Sequence, residues 1–409
     1  MTFDDLLSPI SVERFLSRYW GKAALHVPGH ASKFEHIFSF ERFQEVLARG
    51  WPRGTVARAV FDGKGGTERD PQLMLANGEE ARAAYRAGAT VCIDRLETVV
   101  PELDVLCRSA KGALGYPGDV GVHAYWSPDR AGFRPHFDAR IATTVQLHGR
   151  KKWRYGQVPI VEWPRDNAVI VGDEVQYGRA SGERASWETP VRPDVLADWE
   201  EVTLSPGDVF CVPPGIVHSA EADESSFAIN LHFNPVDTGV YIGRLLTHAF
   251  GDRPEWRNVP PLFAHGVVRD DLPGDGTLAL AARLHEAIAL FTRWVGDLES
   301  LHVHAVTELL VEGRLPRPSE RSGRPAIDES TEIVIADGVY ACSIGESDRV
   351  VIVFSGHRVE ATGSTAAVLC SVLQRQRVRP DDLEVPGVER GALLEILRQL
   401  EGAGIVQTR

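Results

Sequence analysis

Between about Gly88 and Asn234 the texture of the chain is one of short runs punctuated by Gly and Pro. The runs follow one another as VGVHAYWS, ARIATTVQLHG, KKWRYGQV, VTLSPGDVFCVP and SFAINLHF. Each reads as a strand, and turn residues separate them at Ser127-Pro128-Asp129, His148-Gly149, Ser205-Pro206-Gly207-Asp208 and Pro213-Pro214-Gly215. Many short strands with close turns predict a sandwich or barrel, not a parallel sheet of βαβ units.

Helical periodicity flanks this segment. From Pro9 to about Ala48 the pattern is largely helical, with Val12, Phe15, Leu16, Tyr19 and Trp20 on one face and Ser11 as N-cap. Further helices are predicted over Phe40–Ala48 and Gly78–Ala87. After Pro235 helical stripes return over Gly239–Phe250, Leu278–Trp294 and His302–Leu310, and the Pro/Arg/Ser-rich stretch Arg314–Pro325 reads as a linker. The last segment predicts strands at Glu332–Ala336, Tyr340–Ile344 and Arg349–Phe354. Helices follow over Thr365–Gln374 and Glu389–Ala403, running into Ile405-Val406. Helix, turn, helix and strand is the order of a winged-helix module.

At 409 residues the chain is long enough for two or three domains with a sizeable core. A formal net charge of −13 argues against generic coating of nucleic acid, whose phosphates an acidic surface repels. Five scattered cysteines (Cys92, Cys107, Cys211, Cys342, Cys370) show no metal-site spacing and no disulfide framework. The acidic N-terminus lacks the basic and apolar regions of a signal peptide, and no uninterrupted apolar stretch reaches a membrane-spanning length of about 18 residues. The expectation is a soluble, cytoplasmic protein without a membrane.

The chemistry concentrates in Arg134-Pro135-His136-Phe137-Asp138. On a strand, residues i and i+2 share a face, so His136 and Asp138 can present an imidazole and a carboxylate side by side. His218, after the Pro213-Pro214-Gly215 turn, is the candidate third ligand. Two His and one carboxylate make the facial triad of non-haem Fe(II) oxygenases, which leaves coordination positions open for co-substrate and O2. His-x-Asp alone is common by chance, and the chain has 14 histidines. The ordered combination with a distal His in a β-rich segment is far more specific. His123, His148 and His232 are read as structural and not as metal ligands.

If the two-electron donor is 2-oxoglutarate, its remote carboxylate needs a fixed cation in the barrel. Arg150-Lys151-Lys152-Trp153-Arg154 supplies candidates, with Lys151 and Trp153 on one strand face and Lys152 on the other. Thr144 and Asn230 have parities that allow them to line the pocket, and Thr144 keeps step with Asp138 and Arg140.

These residues resemble a known group. Tyr19-Trp20, the block AYWSPDRAGFRPHFDARIATTVQLHGRKKW from Ala124 to Trp153, and LSPGDVFCVPPGIVH from Leu204 to His218 look like the JmjC-type ribosomal oxygenases. That family comprises cupin-fold, Fe(II)/2-oxoglutarate-dependent protein hydroxylases. The resemblance covers the first 235 residues by motif and the rest by architecture only. It implies an α+β chain with a double-stranded β-helix (jelly-roll, cupin/JmjC) core and N-terminal helices over 1–236. A helical dimerisation region and linker then occupy 237–325, and a winged-helix-like domain 326–409. It also implies His136, Asp138 and His218 as iron ligands, Lys151 as the anchor of the 2-oxoglutarate tail, and Tyr125 as a residue of the strand leading to the pocket. His123 stands where the family commonly has an Asn, two positions before that Tyr, and is placed with Thr144 and Asn230 among the cosubstrate-binding candidates. Arg140 matches no family position and is placed as a substrate contact.

The leading expectation is an Fe(II)-, 2-oxoglutarate- and O2-dependent dioxygenase that hydroxylates a C–H bond of a protein or peptide side chain, such as a ribosomal protein Arg or His. A small peptide or amino-acid-derived metabolite is a competing substrate. A non-catalytic, cupin-like dimeric scaffold is a competing function, as is an isomerase or lyase using Mn or Co in the same barrel. The expected assembly is a homodimer.

Overall fold

The computed structural model describes residues 1–51, 55–61, 73–116, 118–172, 174–177, 199–258, 263–264, 267–268, 276–297, 301, 327–336, 339–343, 349–354, 357–375 and 377–408. The helix predicted over His302–Leu310, the linker Arg314–Pro325 and the end of the strand at Ile344 lie outside the described residues. The chain divides into two compact units, Met1–Pro235 and Val236–Arg409.

The first unit holds helices α1 (Phe3–Leu7), α2 (Val12–Arg18), α3 (Phe40–Arg49), α4 (Gly78–Arg86) and α5 (Pro101–Leu114). Its strands are β1 (Leu25–Val27), β2 (Ala57–Val60), β3 (Leu73–Met74), β4 (Thr90–Ile93), β5 (Val120–Ser127), β6 (Gly132–Phe137) and β7 (Ile141–His148). They continue as β8 (Lys151–Gly156), β9 (Ala168–Val171), β10 (Glu174–Tyr177), β11 (Trp199–Leu204), β12 (Val209–Val212), β13 (His218–Ala222) and β14 (Ser226–Phe233). They form an eight-stranded sheet, ordered β1-β12-β7-β14-β5-β4-β2-β3, and a six-stranded sheet, ordered β10-β9-β6-β13-β8-β11. Every strand pair within the two sheets is antiparallel. Two antiparallel sheets whose neighbours come from distant parts of the chain make a double-stranded β-helix.

Side-chain alternation sorts the two faces of the large sheet. On β14, Phe227, Ile229, Leu231 and Phe233 join the main apolar core, whereas Ala228, Asn230 and His232 line a cavity. On β5, Val122, Ala124 and Trp126 face the core, and His123 and Tyr125 face the cavity. Period-two alternation therefore gives a strand buried on both sides a dry face and a chemical face.

The helices cover the dry face. Thr2 and Asp5 form a reciprocal capping box on α1, and Ser11 accepts from the Arg14 amide at the start of α2. The helical stretch expected through Ala48 is interrupted. Helix α2 ends at Arg18, and β1 then pairs with β12. Trp20, past the helix end, packs edge-on against Phe15 and Phe233 with ring centroids 5.8 and 5.0 Å away. Its aromatic neighbours, and not helical periodicity, place it in the core.

The second unit contains α6 (Thr238–Phe250), α7 (Pro254–Arg257), β15 (Phe263–Ala264), β16 (Val267–Val268) and α8 (Gly276–Gly296). It continues with β17 (Ile333–Ile335), β18 (Tyr340–Ser343), β19 (Arg349–Phe354), β20 (His357–Thr362), α9 (Gly363–Arg375), β21 (Arg377–Val378), α10 (Arg390–Gly402) and β22 (Val406–Thr408). The sheets β21-β17-β22 and β18-β19-β20 share a core with α9 and α10, built from residues such as Ile333, Ile352, Leu369, Leu397 and Val406. No helix among the described residues is long and apolar enough to cross a membrane.

Candidate functional site

A cavity of about 500 Å³ opens in the first unit, lined by residues of β5, β6, β7, β8, β13 and β14. His136, Asp138 and His218 converge on it, each offering one ligand atom, and these atoms lie within 4.8 Å of one another. His136 lies on β6, which pairs with β13 so that His136 faces His218 in register. Asp138 lies just beyond the end of β6. The sequence reading put it on the strand with His136; it leaves the ladder instead, and the turn carries its carboxylate round. His218, after the Pro213-Pro214-Gly215 turn, opens β13.

Local backbone fixes the three groups. His136 Nδ1 lies 2.9 Å from the Arg134 carbonyl and His218 Nδ1 lies 2.9 Å from the Ile216 carbonyl. A carbonyl only accepts, so both Nδ1 atoms carry the proton and both Nε2 atoms keep a lone pair. The His218 Nε2 to Asp138 Oδ2 distance is 3.7 Å. Burial, then the neighbouring His136, pushes the His218 pKa down to about 4, keeping it a neutral ligand. The Gly215 amide donates to the Asp138 carbonyl at 2.9 Å, tying the His218 loop to the Asp138 turn. Gly215 has φ +76°, and a Cβ there would stand 1.8 Å from the Val161 carbonyl oxygen. Two oriented imidazoles and a carboxylate on one side of a cavity fit a hard-to-borderline divalent ion with its remaining positions open.

Lys151 occupies another wall. It is 2% exposed, has no carboxylate partner among the described residues, and donates to Ser127 Oγ at 2.9 Å. Thr90 Oγ1 donates to the same Ser127 oxygen at 3.0 Å. Burial lowers the Lys151 pKa to about 8. Lys152 and Arg154 point the other way, to Glu201 at 2.7 and 3.2 Å. Trp153 stays inward and stacks over His218 with centroids 5.7 Å apart.

Thr144 and Asn230 both line the cavity as cross-strand partners, and Asn230 Oδ1 is buried without a hydrogen-bond partner. Tyr125 also lines it, set edge-on to Phe133, and burial raises its phenol pKa. His123 Nδ1 sits 2.6 Å from Asp94 Oδ1, and the Asp94 Oδ2 accepts from Arg58 at 2.7 Å. Burial works against the Asp94 charge, but His123 and Arg58 outweigh it and hold the pKa down at about 2. Arg140 lines the rim, with Asn234 Oδ1 3.4 Å away.

Arg58, Asp94 and His232 are among the cavity residues that were not singled out as site residues from sequence. Arg58 and Asp94 lie on and beside the outlying strands β2 and β4, where no motif marks them. His232, read as structural, stacks on His123 with centroids 3.8 Å apart and lines the cavity. Its parity with Asn230 was the available signal. His148 lies outside the cavity and stacks on Phe40 at 4.8 Å.

The fold is a double-stranded β-helix with a two-His, one-carboxylate centre, and residues 113–239 match the JmjC domain family model. The chain resembles the ribosomal oxygenases in particular. It is 27% identical over 240 residues to ribosomal oxygenase 1 of Rattus norvegicus, across 56% of this chain and 36% of that protein. It is 27% identical over 242 residues to the uncharacterized protein YxbC of Bacillus subtilis (strain 168), across 56% of this chain and 70% of that one. Among solved structures, YcfD, a ribosomal oxygenase from Escherichia coli in complex with cobalt and 2-oxoglutarate, superposes with a TM-score of 0.55 at 16% identity. That match covers 98% of this chain and 99% of YcfD, and at this identity it speaks for the fold.

Proposed function

We propose that the chain is an Fe(II)- and 2-oxoglutarate-dependent oxygenase that hydroxylates a C–H bond in an amino-acid side chain. The observation that carries this reading is one cavity holding two features. These are an oriented His136/Asp138/His218 donor set and a buried ammonium, Lys151, without a carboxylate partner among the described residues. A donor set with open positions fits a ferrous ion, and a dry cation fits the remote carboxylate of a 2-oxo diacid.

His136, Asp138 and His218 would hold the metal, and Lys151 would receive the cosubstrate tail with Ser127 fixing its ammonium. Tyr125, Thr144 and Asn230 offer hydrogen bonds along the cosubstrate, beside His123. When bound, Fe(II) and 2-oxoglutarate supply O2 activation coupled to oxidative decarboxylation. The chain's own share is orientation of the target carbon and exclusion of water by Trp153, Phe133 and the alanines of the lining. Anaerobic titration with Fe(II) and 2-oxoglutarate tests the assignment. A stoichiometric visible charge-transfer band is the expected result, and its absence at high ligand supports the scaffold reading.

Two substrate classes remain in view, each with its own support. The ribosomal-oxygenase relatives and the acidic balance support a basic ribosomal protein segment, modified at Arg or His in the cytoplasm. His123 and Arg140, which depart from the family's pattern, support a small peptide or amino-acid-derived metabolite. Homodimerisation is part of the same proposal. Leu280, Leu284 and Ile288 recur every four residues along α8 and are exposed, a stripe suited to a second copy of the helix. The order α9, α10, β22 supports the winged-helix-like reading of the last segment.

A further inference from the structure

The substrate end of the cavity is charged in a way that bears on what enters it. Three carboxylates line the cavity: Asp94, Asp138 and Asp166. Asp138 belongs to the donor set. Asp94 is engaged on one oxygen by Arg58 at 2.7 Å and on the other by His123 at 2.6 Å. Asp166 Oδ1 accepts from the Asn167 amide at 2.9 Å. Arg140, by contrast, lines the cavity as a guanidinium 3.4 Å from a neutral amide oxygen of Asn234, with no carboxylate partner among the described residues. A guanidinium offers five donors in a planar fork matched to a carboxylate, so this group is under-used as it stands.

His232 supplies the second observation. It is 6% exposed, lines the same cavity, and its Nδ1 is buried without a hydrogen-bond partner. Burial, followed by the charges of His123 and Arg140, keeps the ring neutral. Its position is imposed from both sides. His123 stacks on one face at 3.8 Å, and the ring edge lies over Gly121, where a Cβ would stand 2.8 Å from Cε1. A buried polar atom without a partner costs stability unless a ligand satisfies it.

We propose that Arg140 and His232 form a carboxylate-receiving subsite, so that the substrate is an amino-acid unit bearing an acid group and not a cationic side chain. Arg140 supplies the fork, and neutral His232, in the tautomer that carries its proton on Nδ1, supplies a further donor. The acid is either the free α-carboxylate of an amino acid or peptide C-terminus, or an Asp or Glu side chain. This proposal rests on the oxygenase reading and narrows its substrate.

The test is calorimetric binding to the full-length protein, anaerobic, with Fe(II) and saturating 2-oxoglutarate so that Lys151 is occupied. The probes are the N-acetyl derivatives of the twenty amino acids and the matching N-acetyl α-amides. Tight binding across the free acids and not their amides identifies an α-carboxylate. Among the amides, binding confined to those of Asp and Glu identifies a side-chain acid. In either case Arg140→Gln weakens the binding acid at least tenfold, Arg140→Lys weakens it less, and His232→Leu weakens it more than His232→Gln. The proposal is overturned if no acid-bearing probe binds at millimolar concentration, or if the Arg or His amide binds tighter than every acid. It is also overturned if Arg140→Gln costs more affinity for 2-oxoglutarate than for the acid probe. Failure of the oxygenase reading shows separately, as no Fe(II)/2-oxoglutarate band in the wild-type protein. The acid-against-amide preference is then read on the protein alone.

Discussion

The two ends of the cavity are built on opposite principles. At the donor end, His136 and Asp138 are close in sequence, His218 joins them through one strand pairing, and the donor lone pairs point at a common centre. At the far end, Arg58, Asp94, His123 and His232 come from four separate places in the chain; the Asp94 carboxylate holds Arg58 on one oxygen and His123 on the other, and His232 stacks on His123. The difference separates a group poised for an incoming ligand from a wall that shapes what the ligand can be. Short-range motifs create the first, and sheet register creates the second.

The sharpest way to break this contrast is to remove a donor. Asp138→Ala or His218→Ala is expected to lower 2-oxoglutarate decarboxylation at least about 1,000-fold, because each takes one of only three protein donors. His136→Ala should behave alike, with the circular dichroism spectrum and thermal midpoint little changed. Decarboxylation within tenfold of wild type in any of the three would remove the donor end from the chemistry.

Lys151 comes next. Lys151→Met keeps the volume and loses a charge-assisted contact of roughly 1.5–3 kcal/mol, so the KM for 2-oxoglutarate should rise about 10- to 100-fold. The same lysine predicts a pH effect. Its pKa in the unliganded fold is lowered to about 8, and the tail carboxylate needs the charged form. Affinity for 2-oxoglutarate should be flat below about pH 8 and then fall by roughly tenfold per unit. Stability of the unliganded fold moves the opposite way. Between about pH 8 and the unfolded-state value of 10.5 the unfolded chain binds the proton and the fold has released it, so this residue's contribution improves as pH rises. A KM that stays level through pH 9 would show that the tail is held elsewhere.

These two sets differ in how far they could be read from the sequence. The donor set was visible because a strand's two-residue repeat and a Pro-Gly turn are local signals, and Lys151 because parity separates it from Lys152. Strand parity also made Thr144 and Asn230 legible as pocket candidates, and the family resemblance added Tyr125. Arg58 and Asp94 carry no such mark, since they reach the cavity only when β2 pairs with β4 and β4 with β5. Asp138 shows the limit within the motif itself, because periodicity cannot say that β6 stops at Phe137. Trp20 shows it for the core, where aromatic packing and not helical phase decides burial.

The far wall is tested by its buried pair. Arg58 and Asp94 are both less than a third exposed, so Asp94→Leu leaves a guanidinium without its carboxylate and His123 without its anchor. A loss of about 3 kcal/mol is expected in urea unfolding. The double variant Arg58→Met/Asp94→Leu should recover most of it, since two apolar groups of similar volume leave no stranded charge. Equal losses in single and double variants would mean that packing, not charge pairing, is what these residues contribute.

The smallest expected effect isolates the His232 stack. Gly121 faces His232 across β5 and β14, and a methyl group there would stand 2.8 Å from Cε1 and 3.0 Å from Nε2. His123 is stacked on the same ring with centroids 3.8 Å apart, so a shift of His232 disturbs that stack. Gly121→Ala should gain up to about 1 kcal/mol from a less flexible unfolded chain and lose about 1–3 kcal/mol to overpacking. The net expectation is a loss of about 1 kcal/mol, read as a small fall in the urea midpoint at constant slope. Decarboxylation of 2-oxoglutarate should change less than binding of the substrate acid, because the methyl group displaces the far wall and leaves the donors in place. A variant as stable as the wild type with unaltered acid binding would show that the His232 ring is free to turn, and that the wall does not hold its shape through this stack.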